Sequence, residues 1–369
     1  MKQGWEYKKI GNICNITTGK LDANAANEDG LYPFFTCSRI PLSINTYAYD
    51  CECILIAGNG DLNVKYYNGK FNAYQRTYIL QLKNDVNGVE MRYIFAFFNL
   101  YIEELRRKSI GGIIKYIKLG DLTNALLPLP DITTQLSIVS ELDKINELIR
   151  LKKEQLKDYD NLAQSIFYEM FGDPVENEKG WEVKKIGEIG SVERGAGISK
   201  KDFVEDGLPC IHYGQLHTIL GARTKKHYTS IPHDLLPKYK VAHTGDLVMA
   251  ITSEDVEGSC KSTAWLGNYD VIVGSDAAIL HHEQDGTFLS YYTMTKAFYN
   301  EKAKYAKGFK VTHISTKEIE KISVFLPPLP LQHLFAQRIE QIERQKSAVQ
   351  KSITDLETLL ASRMQYWFE

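Results

Sequence analysis

At 369 residues the chain has the length of two ordinary domains, and 44% apolar with 24% charged residues is the composition of a folded protein, which excludes a disordered chain. The longest apolar run, residues 93–102, is about half the length that crosses a bilayer. With 44 basic and 46 acidic side chains the net charge is −2, which excludes the strongly basic surface of a nucleic-acid binder that works alone.

The charge is unevenly placed: +3 over residues 1–130, −6 over 131–178, +1 over 179–328 and 0 over 329–369. A DNA reader with this balance needs a partner to supply much of the phosphate contact. The opening MKQGWEYKK has no apolar stretch of the kind found in export signals. Cys14, Cys37, Cys51, Cys53, Cys210 and Cys260 show no CxxC spacing. They are expected to be free thiols in a reducing cytoplasm.

In chain order, the first feature is Gly4-Trp5-Glu6-Tyr7-Lys8-Lys9-Ile10-Gly11, which returns as Gly180-Trp181-Glu182-Val183-Lys184-Lys185-Ile186-Gly187 at an offset of 176. Later matches run at an offset of 197: Gly111 with Gly308, Pro130 with Pro327, Gln135 with Gln332 and Phe171 with Phe368. The chain is therefore a duplication whose second module is 21 residues longer, with the excess in its middle. Both modules read as mixed α/β. Short apolar strands are expected at 53–57 and 78–80, and at 247–251 and 278–280, with turns such as Gly58-Asn59-Gly60 between them. A helix is expected at 89–108 in one copy and at 287–306 in the other.

Each module then closes on a proline-rich break, Leu127-Pro128-Leu129-Pro130 and Leu326-Pro327-Pro328-Leu329-Pro330, followed by a long helix. Apolar positions along it step by 4 and 3. The pairing set is Ile138, Leu142, Ile145, Ile149, Leu156 and Tyr159 in the first copy, and Phe335, Ile339, Ile342, Val349, Ile353 and Leu356 in the second. Lys152 and Lys346 interrupt the pattern. A seam of this length predicts a coiled coil; a helix packed only on its own module is the competing reading. The expected domains are thus 1–130, the helix 131–172, 173–328 and the helix 329–369. The linker 172–180 reaches at most about 30 Å, so module two is expected at the far end of the first helix. The second helix then returns antiparallel. The expected architecture is a pseudo-two-fold dumbbell with both ends of the chain beside module one.

The module loops carry side chains that match base edges or phosphates. Arginine pairs with guanine, and Asn or Gln with adenine, because only those groups meet the donor–acceptor pattern twice. The candidates are Arg39, Asn72, Tyr74, Gln75 and Arg76 in module one, and His212, Tyr213, Gln215, Arg223, Lys225, Lys226 and Lys261 in module two. Basic residues at and just beyond the ends of the module helices recur in both copies: Arg106, Arg107 and Lys115, and Lys304, Lys307 and Lys310. For each, a solvated loop or a basic helix end is the competing reading. No phosphate loop, dinucleotide fingerprint, amino-methyltransferase quartet, nucleophile elbow or HExxH motif is present, so no catalytic residue is expected, and His281-His282 has no second ligand pair for a metal.

Two modules of divergent middle, each opened by Trp-Glu-x-Lys-Lys-Ile-Gly and closed by a Pro-Leu-Pro segment, a glutamine (Gln135, Gln332) and a long helix, resemble the DNA specificity subunit of type I restriction–modification systems. The resemblance covers essentially the whole chain. It departs at Asp131, where a second proline is usual, and at Thr133-Thr134, where acids are usual. It implies two target recognition domains, each reading half of a split double-stranded DNA sequence. It implies helices that set the unread gap and dock two modification subunits. Those partners bind S-adenosylmethionine and methylate adenine, and restriction subunits add ATP- and Mg2+-dependent cleavage; this chain binds no cofactor. A decoy or scaffold of the same fold, without a target, is the rival reading.

Overall fold

The computed structural model describes residues 4–198, 200–233, 239–308 and 311–369. They form two compact units: residues 1–155 with 349–369, and residues 156–348.

In unit one the apolar run at Cys53-Ile54-Leu55-Ile56-Ala57 lies in the strand Tyr49–Ala57 and is buried along its length. A continuous run, rather than an alternating one, suits a strand covered on both faces. This strand is central in a six-stranded sheet of order Cys14–Thr18, Thr77–Leu82, Tyr49–Ala57, Val64–Ala73, Tyr32–Phe35, Leu42–Ile44. All neighbours are antiparallel except Tyr32–Phe35 beside Val64–Ala73. On one face Ile54, Ile56 and Leu80 meet Tyr93, Ile94 and Phe98 of the helix Met91–Lys108; on the other, Leu55 and Ile79 meet Phe35 and Phe71.

Unit two repeats the first four positions of that order: Gly190–Arg194, Ala277–His282, Leu247–Ala250, Ser262–Trp265, then Arg223–Thr224. It adds a four-stranded sheet of Thr229–Ile231, Leu208–Ile211, Val271–Val273 and Lys240–Ala242. Three of these added strands fall between Arg194 and Leu247, where unit one has only Thr18 to Tyr49 to cover. The helix expected at 287–306 is two helices, Gly286–Tyr292 and Lys296–Ala303. Thr295 interrupts it: extended at φ −81°, ψ 157°, it caps the second piece by accepting from the N–H of Phe298.

The proline-rich closures differ from the simple breaks expected. Leu126–Leu129 is a strand, paired antiparallel with Glu6–Lys9, and Ser323–Leu326 pairs in the same way with Glu182–Lys185. Each module's mouth is thus clamped by its own two ends. Pro128 is accepted because the pair has only two strands, and its carbonyl takes a 2.7 Å bond from the Tyr93 hydroxyl.

The closures lead into Ile132–Phe171 and Leu329–Phe368, each of 40 residues or about 60 Å. Asp131 caps the first, accepting from the Thr134 N–H and hydroxyl at 2.9 and 2.8 Å; these bonds hold its carboxyl below the usual range. The residue that departs from the family pattern therefore has a local task. In the second helix Pro330 occupies the first turn, where a missing N–H costs nothing.

Within unit one, Glu141 accepts from Arg363 and from Trp367 Nε1 (3.0 Å), and Lys153 meets Glu357 at 2.8 Å. Within unit two, Lys346 meets Asp160 at 2.8 Å and Arg338 meets Glu169 at 3.7 Å. In each unit one partner's number rises as the other's falls, so the helices run antiparallel there. Ile138, Leu142, Ile145, Ile149, Phe335, Ile339, Ile342, Val349 and Ile353 are buried, and Leu156, Tyr159 and Leu356 are half-buried. Lys346, within the seam, is half-buried and held by Asp160 and Glu343.

The far end of each helix enters a module core. Phe171 meets Phe288 at 5.0 Å between ring centroids in unit two. Phe368 meets Tyr93 at 5.1 Å in unit one, where Trp5 also stacks on Trp367 at 6.3 Å. The segment 172–180 is a set of turns. Asn177, at φ +47°, brackets the backbone of Trp181 with its amide, and the Trp181 indole donates to Phe171 O at 2.8 Å. All six cysteines are free thiols, and burial pushes Cys14 and Cys260 up to about 12.

Gln135 and Gln332 are completely buried. The Gln135 amide accepts from the N–H of Glu90, the capping residue of Met91–Lys108, and donates to Gly88 O and Pro130 O at 3.0 and 2.8 Å. Gln332 accepts from the N–H of Asp285, the cap of Gly286–Tyr292, and donates to Gln284 Oε1 and Pro327 O at 2.9 Å each. Truncating either strands buried groups without partners. Gln135→Ala and Gln332→Ala are each expected to cost about 2–4 kcal/mol in urea denaturation monitored by circular dichroism; a loss below about 0.5 kcal/mol would show that these bonds do not hold the modules.

Candidate nucleic-acid interface

In module one the sheet and helix bring four loops to one surface. The Asn63 amide, nearly buried, donates to Cys37 O and Asp61 O at 2.8 Å each. Gly58 N donates to Arg76 O, and Gly60 N to Lys115 O, at 2.8 and 2.9 Å. Asp61 accepts from Arg39 Nε at 2.7 Å and pairs with Arg106 at 3.5 Å, while Arg106 also donates to Leu62 O at 2.8 Å. The Arg39 bond, with Arg106 behind it, holds the Asp61 carboxyl below its usual range. Arg39, Arg76, Arg106 and Lys115 thus belong to one loop cluster, and Asp61, which the sequence did not single out, is its hub.

Other candidates in this module divide clearly. Arg107 is well exposed and meets Glu104 at 3.2 Å. Tyr74 is half-buried, and Gln75 is exposed with its amide 3.5 Å from Asp22. Asn72 is a correction. It is buried, accepts from Ala73 N–H and donates to Thr46 O, so its amide is spent on the backbone and does not face a base.

Module two shows the same division. His212 caps the helix Tyr213–Thr218, its Nδ1 accepting from Gly214 N–H at 3.2 Å, while Gln215 Oε1 accepts from His212 N–H at 2.9 Å. Both are nearly buried, which corrects their assignment as base readers. Arg223 is a further correction: its side chain is 9% exposed and pairs with Glu340 on the second long helix. Lys225 reaches the same carboxylate at 2.9 Å. These two fasten the module to its helix. Tyr213 is half-buried beside His212 and His217.

Lys226 is exposed. Lys261 is exposed, donates to His217 O at 3.2 Å, and His217 Nε2 lies 3.1 Å from Thr252 O. Thr252 Oγ1 is 3.2 Å from His313 Nδ1, and His313 exchanges backbone bonds with Lys307. Lys307 is exposed and meets Glu318 at 3.2 Å; Lys304 is exposed and paired with Glu301. Lys310 lies outside the described residues. His217 and Thr252 are among the loop groups of module two whose side chains suit base edges; His313 was not foreseen. The sequence signal for His313 is the match of Gly308 to Gly111, since each glycine lies beside a backbone pairing in its own module, Lys307 with His313 and Ile110 with Tyr116.

Among the described residues no group of acidic, histidine or cysteine side chains is arranged to hold a metal, and no helix is long and apolar enough to cross a membrane.

The model of the type I restriction modification DNA specificity domain matches residues 2–158 and again 178–358. The chain belongs to that family. Among relatives of the specificity subunit, the EcoDI subunit of Escherichia coli is 26% identical over 95% of this chain and 84% of its own. The MjaVIII subunit of Methanocaldococcus jannaschii is 23% identical over 97% and 92%. Among solved structures, the type I S subunit from M. genitalium superposes with a TM-score of 0.57 at 14% identity, over 100% of this chain and 98% of that one. A chain from a structural study of assembly and conformational transition in a type I restriction–modification system gives 0.59 at 19%, over 100% and 98%. Each of the two family matches covers one module and much of the long helix that follows it.

A pH dependence follows from the capping histidine. Burial first, and Lys200 second, hold His212 below its usual range. A depressed value means that the unfolded chain takes the proton first. The stabilisation is therefore full above the unfolded value of about 6.5 and is lost as pH falls through the folded one. Half-buried His282 is shifted the same way by desolvation; His243, raised by its bond to Asp270, shifts the other way but is well exposed and counts for little. The melting temperature is expected to drop between about pH 7 and pH 5, and less steeply in His212→Asn, since Asn keeps the cap without the proton. Equal slopes for the two proteins would contradict this.

Proposed function

We propose that this chain recognises one split word of double-stranded DNA, each module reading one half through its loop cluster. The two long helices set the unread gap and dock two modification subunits. Those subunits carry S-adenosylmethionine and methylate adenine; restriction subunits, where they join, use ATP and Mg2+. The chain contributes recognition and no catalysis, and it works in the cytoplasm. The observation that supports this reading best is the pairing of sameness and difference. Both modules have the same clamp, the same buried glutamine and the same hairpin position, yet their reading loops differ in sequence, length and sheet (Arg39, Arg76, Arg106 and Lys115 against Lys226, Lys261 and Lys307). Two copies of one frame carrying unlike loops suit two unlike half-sites. The near-neutral charge of the chain fits subunits that close around the DNA with it.

Methylome sequencing of cells that express the chain with its modification subunits is expected to show a two-part motif with a fixed gap. A decoy would leave the methylome unchanged, and a continuous motif would refute the division between modules. Exchanging residues 20–105 for those of another family member is expected to change one half-site only. Inserting one heptad into both long helices is expected to lengthen the gap and leave both half-sites as they were; altered half-sites would refute the separation of reading from spacing.

A further inference from the structure

The segment 110–116 of module one is a hairpin that the recognition loops alone do not explain. It is closed by two backbone bonds between Ile110 and Tyr116, at 3.0 and 2.8 Å. It is held to the rest of the cluster by Gly60 N to Lys115 O (2.9 Å), Ile117 N to Gly58 O (3.0 Å) and the Tyr78 hydroxyl to Ile117 O (3.2 Å). Gly111, at φ +118°, makes the turn, and a Cβ there would collide with Ile114 O. The hairpin is therefore shaped and fixed in place. At its tip stand Ile113, 105% exposed, and Ile114, 61% exposed.

Two isoleucines held in water on a rigid tip forgo roughly 1.5–3 kcal/mol each that burial would return. Just before the hairpin the module helix ends in Arg106, Arg107 and Lys108, which pair with Asp61, Glu103 and Glu104 and could exchange those carboxylates for phosphates, and Lys115 lies within the hairpin itself. An apolar point with a cationic collar is complementary to the DNA duplex, which is anionic outside and apolar between its bases. An apolar protein surface would not need the collar. The second module is built alike: Gly308 at φ +134°, whose Cβ would collide with Val311 O, backbone bonds between Lys307 and His313, and Val311 exposed.

We propose that the hairpin 110–116 is a wedge that enters the minor groove, with Ile113 and Ile114 pressed into one base step while the basic collar grips the flanking phosphates. This rests on the reading of module one as a DNA recognition domain and assigns the hairpin a second mode of readout within it. The cost of unstacking depends on the step, least for pyrimidine–purine, so the wedge selects sequence by deformability at a position where no polar side chain touches a base.

The test uses the full complex of this chain with its modification subunits and its target duplex, with 2-aminopurine placed at successive positions of the module-one half-site other than the adenine to be methylated, which a methyltransferase takes out of the stack by itself. The expected result is bright fluorescence at one step with the unaltered complex, lost in the Ile113→Ser/Ile114→Ser variant. Affinity is expected to fall about ten-fold, matching the loss of one unstacking contact. The melting temperature should be unchanged, because both side chains lie in solvent. Fluorescence that stays low at every position while the complex binds and methylates its target would overturn the wedge and leave the recognition reading intact. A variant that loses the modification subunits but not its DNA response would also overturn it, assigning the tip to a protein partner. Failure of the unaltered complex to bind any duplex specifically would instead refute the recognition reading itself.

Discussion

The module frame depends on one buried amide used twice. Gln135 and Gln332 each hold together three things: the carbonyl at the proline closure, the backbone just before a module helix, and the first turn of a long helix. No apolar residue can do this, since the groups it joins are a backbone N–H and two oxygens that have left water. Few polar residues can either. The junction needs one acceptor and two donors on a stem long enough to reach from the helix, which is the glutamine inventory. Around that amide the two-stranded clamps close, and the aromatic ends Phe171 and Phe368 complete the cores.

What was legible in the sequence was what repeats. The openings at Trp5 and Trp181, the closures, the glutamines and the apolar seam all recur because each has a fixed partner. The clamp strands pair with one another, and the seam residues are buried or half-buried within each unit. The strand at 53–57 was legible for a different reason, being apolar without interruption. The proline closures misled because a proline in a two-stranded pair loses no bond, so a strand there carries the same letters as a break. The single helix expected at 287–306 failed on Thr295, whose capping geometry depends on an extended backbone that composition does not reveal.

The candidate recognition surface was legible as chemistry and poorly legible as placement. Asn72, His212, Gln215 and Arg223 have the side chains of base readers, yet the fold turns each inward to satisfy a backbone group or a carboxylate. Polar residues used for caps and anchors look the same in a sequence as polar residues left for a ligand. Conversely, Asp61 carries the wrong sign for DNA and was passed over, though it gathers Arg39 and Arg106. Ile113 and Ile114, apolar as they are, stand in solvent beyond the turn at Gly111.

The clamp at each module's mouth has a consequence for how such a chain can change. Once Glu6–Lys9 pairs with Leu126–Leu129, everything between is, to the rest of the protein, one closed loop. Closing a longer loop costs only a logarithm of its length. The 21 extra residues of the second module therefore cost about 0.1 kcal/mol of closure entropy. The start of the long helix stays where the glutamine fixes it as long as the loop keeps the turn before its module helix, whose groups the glutamine binds. Vocabulary and grammar are thus kept apart in the chain: the middle of a module is free to be rewritten or lengthened, provided the turn that meets the glutamine is kept, while the frame that carries it is left untouched.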